Sequence, residues 1–185
     1  MRPSSRTAIL DAAIRVTERA GITGLTLDAA AEEAGVTKGG LLYHFHTRDD
    51  LLLAIQQRIT DQWEERLLAE LGMPRDEATP QQRAAAYARL NLSDQPSSTA
   101  ELAFMLESAN HPALAEVWNE LTQRWVPAPT SPESATLNLF LARLAADGLW
   151  LLEATKGTSL TPAVREAVTR RITALIEPPS DPAES

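Results

Sequence analysis

Cysteine is absent from this 185-residue chain, which excludes disulfide bridges and thiolate-held metals. The absence fits a reducing, cytoplasmic setting. Glycine is scarce, at 8 residues, while 44% of the chain is hydrophobic and much of that is alanine and leucine. Such a balance favours helices over a β-rich fold. No apolar run follows Met1, so no secretory leader is expected. The most apolar stretch, residues 135–152, is interrupted by Asn138, Arg143 and Asp147, which makes a membrane span untenable. A surplus of positive charge is missing too, since the net charge is −8. That total does not exclude a nucleic-acid partner, because affinity follows the local field at the contact face. Residues 1–48 carry six basic groups against five acidic ones, for +1, and the remainder carries −9. A field of +1 is modest, so a nucleic-acid site here would rely on two copies binding together.

The stretch LTLDAAAEEAGVTKGGLLYHFHTRDD, residues 25–50, holds the densest local information. Thr26 is placed to cap a helix over 27–34, with Asp28 in its first turn. Gly35 suits the left-handed position that follows. Thr37 caps a second short helix carrying Lys38, Tyr43 and His44. Small Ala31, turn Gly35 and apolar Leu41 fall where a helix-turn-helix needs close packing, a sharp turn and a core anchor, an arrangement that lets a helix enter the DNA major groove. Phe45 reads as core and Tyr43 as DNA-facing. His44 and His46 point to different sides of a helix, so no metal site is expected.

The remaining chain reads as helices throughout. An amphipathic helix is expected over 5–20, with Ile9, Ala12, Ala13, Val16 and Ala20 on one face and Gly21 ending it. Thr47 caps a long fourth helix with Asp49 and Asp50 in its first turn and an apolar stripe of Leu52, Ile55, Ile59, Trp63 and Leu67, closed by Gly72 and Pro74. Thr79-Pro80-Gln81-Gln82 combines an N-cap, a first-turn proline and a capping-box glutamine, and Ser98 to Glu101 forms another box. Further starts are expected at His111-Pro112, at Ser131-Pro132 for a helix reaching Thr155, and at Thr161-Pro162. The fold class is therefore all-α with about nine helices. The expected organisation is a DNA-binding head over 1–47, an effector and dimerisation domain over 48–178, and a disordered tail over 179–185.

With its helix-turn-helix, the amphipathic helix before it and the long helix after it, the segment from Thr26 to Leu52 resembles the TetR family of bacterial transcriptional repressors. The resemblance implies a cytoplasmic homodimer with two DNA-binding heads, a double-stranded operator as partner, and a small-molecule effector whose binding changes the spacing of the heads. By position it implies that Thr26, Thr37, Tyr43, His44 and Arg48 contact phosphates, and that Lys38, Gly39, Gly40 and Leu42 face base edges and nearby backbone. The chemistry is compatible. Tyrosine, histidine and helix N-termini all offer donors to phosphate oxygens. Leu42 suits a thymine methyl. With few side chains able to read bases by hydrogen bonding, DNA shape should carry much of the specificity.

In the larger domain, Trp63, Tyr87, Phe104, Met105, Trp118, Trp125 and Phe140 are candidates to line an apolar effector pocket, with Arg143, Arg89 and Asn110 as polar anchors. Each aromatic has the alternative of being ordinary core. The eighth helix is apolar nearly all round and must be covered on most sides. Its stripe of Leu137, Leu141, Leu144, Gly148 and Leu152, together with Val164, Val168, Ile172 and Leu175 of the ninth, suits a four-helix dimer interface across a two-fold axis. An enzyme finds little support. The chain has no phosphate-binding glycine loop, no HExxH motif and no catalytic set, and adjacent Glu32 and Glu33, expected to face outward, make a poor acid-base pair. No cofactor or metal is expected. A helical ligand-binding or interaction protein without DNA affinity remains the alternative.

Overall fold

The computed structural model describes residues 5–93, 98–132, 134, 136–155, 157 and 159–177. Among them the chain forms α1 (Ser5–Gly24), α2 (Leu27–Ala34), α3 (Lys38–His44), α4 (Arg48–Leu71), α5 (Pro80–Asn91), α6 (Thr99–Ser108), α7 (Pro112–Trp125), α8 (Leu137–Ala154) and α9 (Pro162–Ala174), with one tight turn at Arg75–Glu77 and no strand. The tail beyond residue 177 lies outside the described residues.

Local chemistry sets most of these bounds. Gly21 breaks α1 with φ of 71°, a left-handed value open to glycine, and three residues of helical turn follow the kink. Thr26 Oγ1 accepts the Ala29 amide at 3.0 Å, and Gly35 closes α2 in the left-handed conformation. Thr37 Oγ1 accepts the Gly40 amide at 3.1 Å to start α3. At the start of α4, Thr47 Oγ1 accepts the Asp50 amide while the Asp50 carboxylate accepts the Thr47 amide, both at 3.0 Å. Thr79 and Gln82 close the expected reciprocal box on α5. On α6 the Ser98 hydroxyl accepts the Glu101 amide, and as donor it reaches Glu18 at 3.1 Å.

One expected boundary fails. The eighth helix begins at Leu137, not after Ser131-Pro132. Ser134 engages both the amide and the hydroxyl of Thr136, so the segment turns locally instead of propagating a helix.

Compactness groups the chain into two units, Met1–Trp63 with Pro96–Leu121, and Glu64–Gln95 with Thr122–Ser185. The division falls within α4, not at residue 47. In the first unit α1 packs against α2, α3 and α6, and α2 against α3. Its core gathers Ile9, Ala12, Ala13 and Val16 from α1, Ala30 and Ala31 from α2, Leu41 from α3, and Leu51, Leu52, Ile55 and Ile59 from α4. Ala20, expected on the buried face of α1, is exposed, and Leu10 and Thr17 are buried in addition to the expected set. The second unit packs α8 against α5 and α9, and α5 against α9. Leu139, Ala142, Ala146, Leu149 and Trp150 form the buried side of α8.

Candidate DNA interface and effector domain

α3 divides sharply into an inner and an outer side. Leu41 is fully buried beneath it, and Phe45, which follows its last turn, is buried as expected. The Arg6 guanidinium lies over the Phe45 ring at 5.3 Å, a cation–π contact that holds the end of α3 toward α1. Thr37, Lys38, Gly39, Gly40, Leu42 and Tyr43 are all exposed, and Tyr43 is 81% accessible. Thr26 is exposed at the start of α2, while His44 is half-buried with its ring set edge-on to Tyr43 at 5.1 Å. The large aromatic with a hydroxyl tip therefore stands outward, although nothing inside the protein requires it there.

Gly39 is informative for the same reason. A Cβ added to it would meet no atom within 4 Å, so the fold does not need glycine at this position. At Gly40 a Cβ would come within 3.3 Å of Thr37 Oγ1, close to the cap that starts the helix. Two glycines in a seven-residue helix disfavour it by roughly 1 kcal/mol each relative to alanine. Packing within the chain therefore gives no reason for glycine at position 39.

The charges around α3 are largely committed to partners. Lys38 pairs with Asp28 across the turn at 2.9 Å, both side chains well exposed. Arg15 and Arg19, one turn apart on α1, both reach Glu33 of α2 at 2.9 Å. Those two hydrogen bonds, Arg15 first, hold the Glu33 carboxyl below its usual range against the opposing effect of burial. Glu33 thus faces α1 and is half-buried, which corrects its expected outward placement, whereas Glu32 is exposed.

Arg48 departs most from expectation. Its Nε donates to the Leu25 carbonyl at 3.0 Å and its Nη2 to the Ile22 carbonyl at 2.9 Å. One edge of the guanidinium is thus engaged on the protein's own backbone. Sequence spacing carries no signal for this contact, because it joins residues 23 and 26 positions apart.

The eight residues expected to share one effector pocket divide between the units. Trp63, Phe104, Met105 and Trp118 fall in the first; Tyr87, Trp125, Phe140 and Arg143 fall in the second. Trp63 and Trp118 stack edge to face with centroids 5.5 Å apart, and Phe104 and Trp125 are buried core. Two open grooves of about 190 and 340 Å³ are lined by other residues, the first by Asp49, Asp50, Leu52, Leu53, His111, Ala113 and Leu114, the second chiefly by α5 and the end of α9. Arg89 borders the second groove but is tied to Glu70.

The second unit instead contains a polar network that spacing only partly foresaw. Tyr87 Oη donates to Asp147 at 2.8 Å, and Arg143 Nε reaches the same carboxylate at 3.4 Å. Arg143 also donates to the Val126 carbonyl at 3.0 Å and lies 5.7 Å from the Phe140 ring centre. Burial raises the Asp147 pKa, opposed by the Tyr87 hydrogen bond and the Arg143 charge, and burial pushes the Tyr87 hydroxyl well above its ordinary value. The i,i+4 pairing of Arg143 with Asp147 is legible in the sequence; the arrival of Tyr87 from α5 is not.

On the opposite side of α8, Leu141, Leu144, Gly148 and Leu151 stand exposed, joined on α9 by Val164. Leu137, Leu152, Val168 and Leu175 are half-buried. Ile172 is buried within its own chain, so it belongs to the core of the unit and not to an outward face.

Residues 9–55 match the family model described as bacterial regulatory proteins, tetR family, and residues 81–177 match that described as tetracyclin repressor-like, C-terminal domain. This chain belongs to the TetR family. Its relatives include the HTH-type transcriptional regulator BetI of Paraburkholderia phymatum, 30% identical over 170 residues and covering 85% of each chain. Among solved structures, the multidrug binding protein EbrR complexed with imidazole is 27% identical, with a TM-score of 0.66 over 97% of this chain and 98% of that one. EbrR complexed with ethidium is 28% identical, with a TM-score of 0.65 over 95% and 99%. This TetR-family protein is a ligand-responsive, DNA-binding transcriptional regulator. Among the described residues no helix is long and apolar enough to cross a membrane.

Proposed function

We propose that this TetR-family regulator is a repressor whose DNA-binding head is residues 1–47 and whose reading surface is the outer side of α3. The observation that carries the reading is the exposed set Lys38, Gly39, Gly40, Leu42 and Tyr43 over the buried Leu41 anchor, with helix caps Thr26 and Thr37 beside it. Helix N-termini and the Tyr43 hydroxyl supply donors to phosphates. The glycines admit close approach of backbone to duplex, and Leu42 meets base methyls. Two copies joined through the exposed apolar sides of α8 and α9 present two such helices about 34 to 36 Å apart, the spacing of successive major grooves.

The effector is a small, largely apolar molecule bound in the second unit. The polar set Tyr87, Arg143 and Asp147 supports that placement, as does the fully buried Trp125, whose indole N–H has no acceptor among the described residues. The effector acts by preferring a dimer whose heads are wrongly spaced, and a near-complete switch requires about 5.5 kcal/mol of that preference. The protein acts by binding; steady turnover of a small substrate would contradict this reading.

Selecting fragments of the source genome on the purified protein and repeating the binding with Tyr43→Ala tests the interface. Wild-type protein is expected to retain a small set of duplexes and Tyr43→Ala to lose them. Equal retention by both would move the site away from α3.

A further inference from the structure

Arg48 is the first residue of α4, and its backbone is fixed by the reciprocal hydrogen bonds between Thr47 and Asp50 on either side of it. From that fixed root the side chain reaches the short segment joining the kink at Gly21 to the cap at Thr26. It grips two carbonyls there, those of Ile22 and Leu25. The Ile22 carbonyl also accepts the Leu25 amide at 3.3 Å, so the guanidinium fastens a turn that is closed on itself. Carbonyls at the end of a helix lack intrahelical donors and carry partial negative charge. A planar guanidinium can satisfy two of them at once in a fixed geometry; a lysine ammonium presents a single flexible point charge.

We propose that Arg48 is a positioning residue for DNA binding and not a phosphate ligand: it pins the start of α4 to the turn that launches α2, and so sets the angle at which α2 and α3 meet the duplex. The two bonds leave α2–α3 held at both ends. At one end Arg48 fixes the approach to the Thr26 cap. At the other, Phe45 is buried under Arg6 immediately before Thr47 and α4 begin. Turning the bonded edge of the guanidinium to a phosphate would cost the Leu25 carbonyl its side-chain donor and leave the Ile22 carbonyl with the Leu25 amide alone, so the contacts within the chain win. The inference rests on α3 as the reading helix, and one arm of its test avoids DNA for that reason.

The test uses full-length Arg48→Lys and Arg48→Ala. A phosphate contact depends on charge, so lysine would preserve it; a two-carbonyl clamp depends on the fork, so lysine would not. Binding to a genome-selected duplex is measured by fluorescence anisotropy across a salt series. Both variants are expected to bind about tenfold more weakly, with the slope of log affinity against log salt unchanged. Arg48→Lys binding as wild type, with Arg48→Ala flattening the slope by about 0.9, would overturn the proposal, since that is the signature of one lost phosphate contact. In free protein, amide exchange at Leu25, Ala29 and Ala30 is expected to quicken in both variants, and unchanged exchange would overturn the clamp whatever the duplex result. If Arg48→Ala does not fold, Arg48→Lys alone decides, by its affinity and by its exchange.

Discussion

At Gly39 the preference of the helix and the proposed close approach of DNA pull in opposite directions. Nothing in the chain occupies the space a methyl would take there, and α3 would be the better helix for having it. Gly39→Ala is therefore expected to raise the thermal stability of the free protein, by about 1 kcal/mol. The same methyl should weaken operator binding, because it stands the backbone off from the duplex. Calorimetric melting and anisotropy on one preparation would show the two opposite signs; a variant that is both more stable and equally tight would remove the close-approach argument. Asp28 poses a related question of charge. It sits on the exposed side of α2 and pairs with Lys38, the one lysine of α3. Asp28→Asn is expected to tighten binding to any duplex and to steepen the salt slope by about 0.9, one additional phosphate contact's worth. It should narrow the gap between operator and random DNA. A salt titration of both duplexes measures this, and an unchanged slope would show that Lys38 already contacts phosphate despite its partner.

Between elements, the α1–α2 contact combines small apolar residues inside with a three-membered ionic cluster at the rim. Glu33 takes both Arg15 and Arg19 and its carboxyl is held below its usual range in the folded state. A carboxyl depressed on folding stabilises the native state above its ordinary pKa and ceases to do so as the pH falls through the depressed value. Glu33→Gln is thus expected to melt below wild type at neutral pH, with the gap closing on acidification below the usual carboxylate range. Paired melts at neutral and acid pH check it, and a gap that persists in acid would assign the effect to packing. The elements themselves were readable wherever a cap acts within three residues, as at Thr26, Thr37, Thr47 and Thr79, because that chemistry is local. The start of α8 was not: Ser131-Pro132 looks like a cap and a first-turn proline, but Ser134 diverts the backbone with its own hydrogen bonds.

At the scale of the molecule, the proposed dimer puts its second copy against the exposed side of α8. Leu141 is 43% exposed, Leu144 49% and Val164 48%, with Gly148 open beside them. These side chains contribute little to the fold of a single chain. Leu144→Asp is expected to leave helicity intact and yield monomer in sedimentation. Operator affinity should then fall by about 10²–10⁴-fold, since the second head no longer benefits from the effective concentration that the first supplies. A Leu144→Asp protein that stays dimeric would exclude this side of α8 as the interface.

What the sequence by itself determined is the set of features whose causes lie within a few residues: the caps, the turn at Gly35, the buried Leu41 and Phe45, the outward Tyr43, the apolar stripe of α4, and with them the family. Tertiary structure alone decided matters that join distant positions. It turned Arg48 inward onto Ile22 and Leu25, brought Tyr87 to Asp147, placed Glu33 against α1 and buried Ile172. The physical reason is range. A cap or a helical face is fixed by bonds along the chain, whereas the partner of a long side chain is fixed by whichever carbonyl or carboxylate the packing of other helices leaves within its reach.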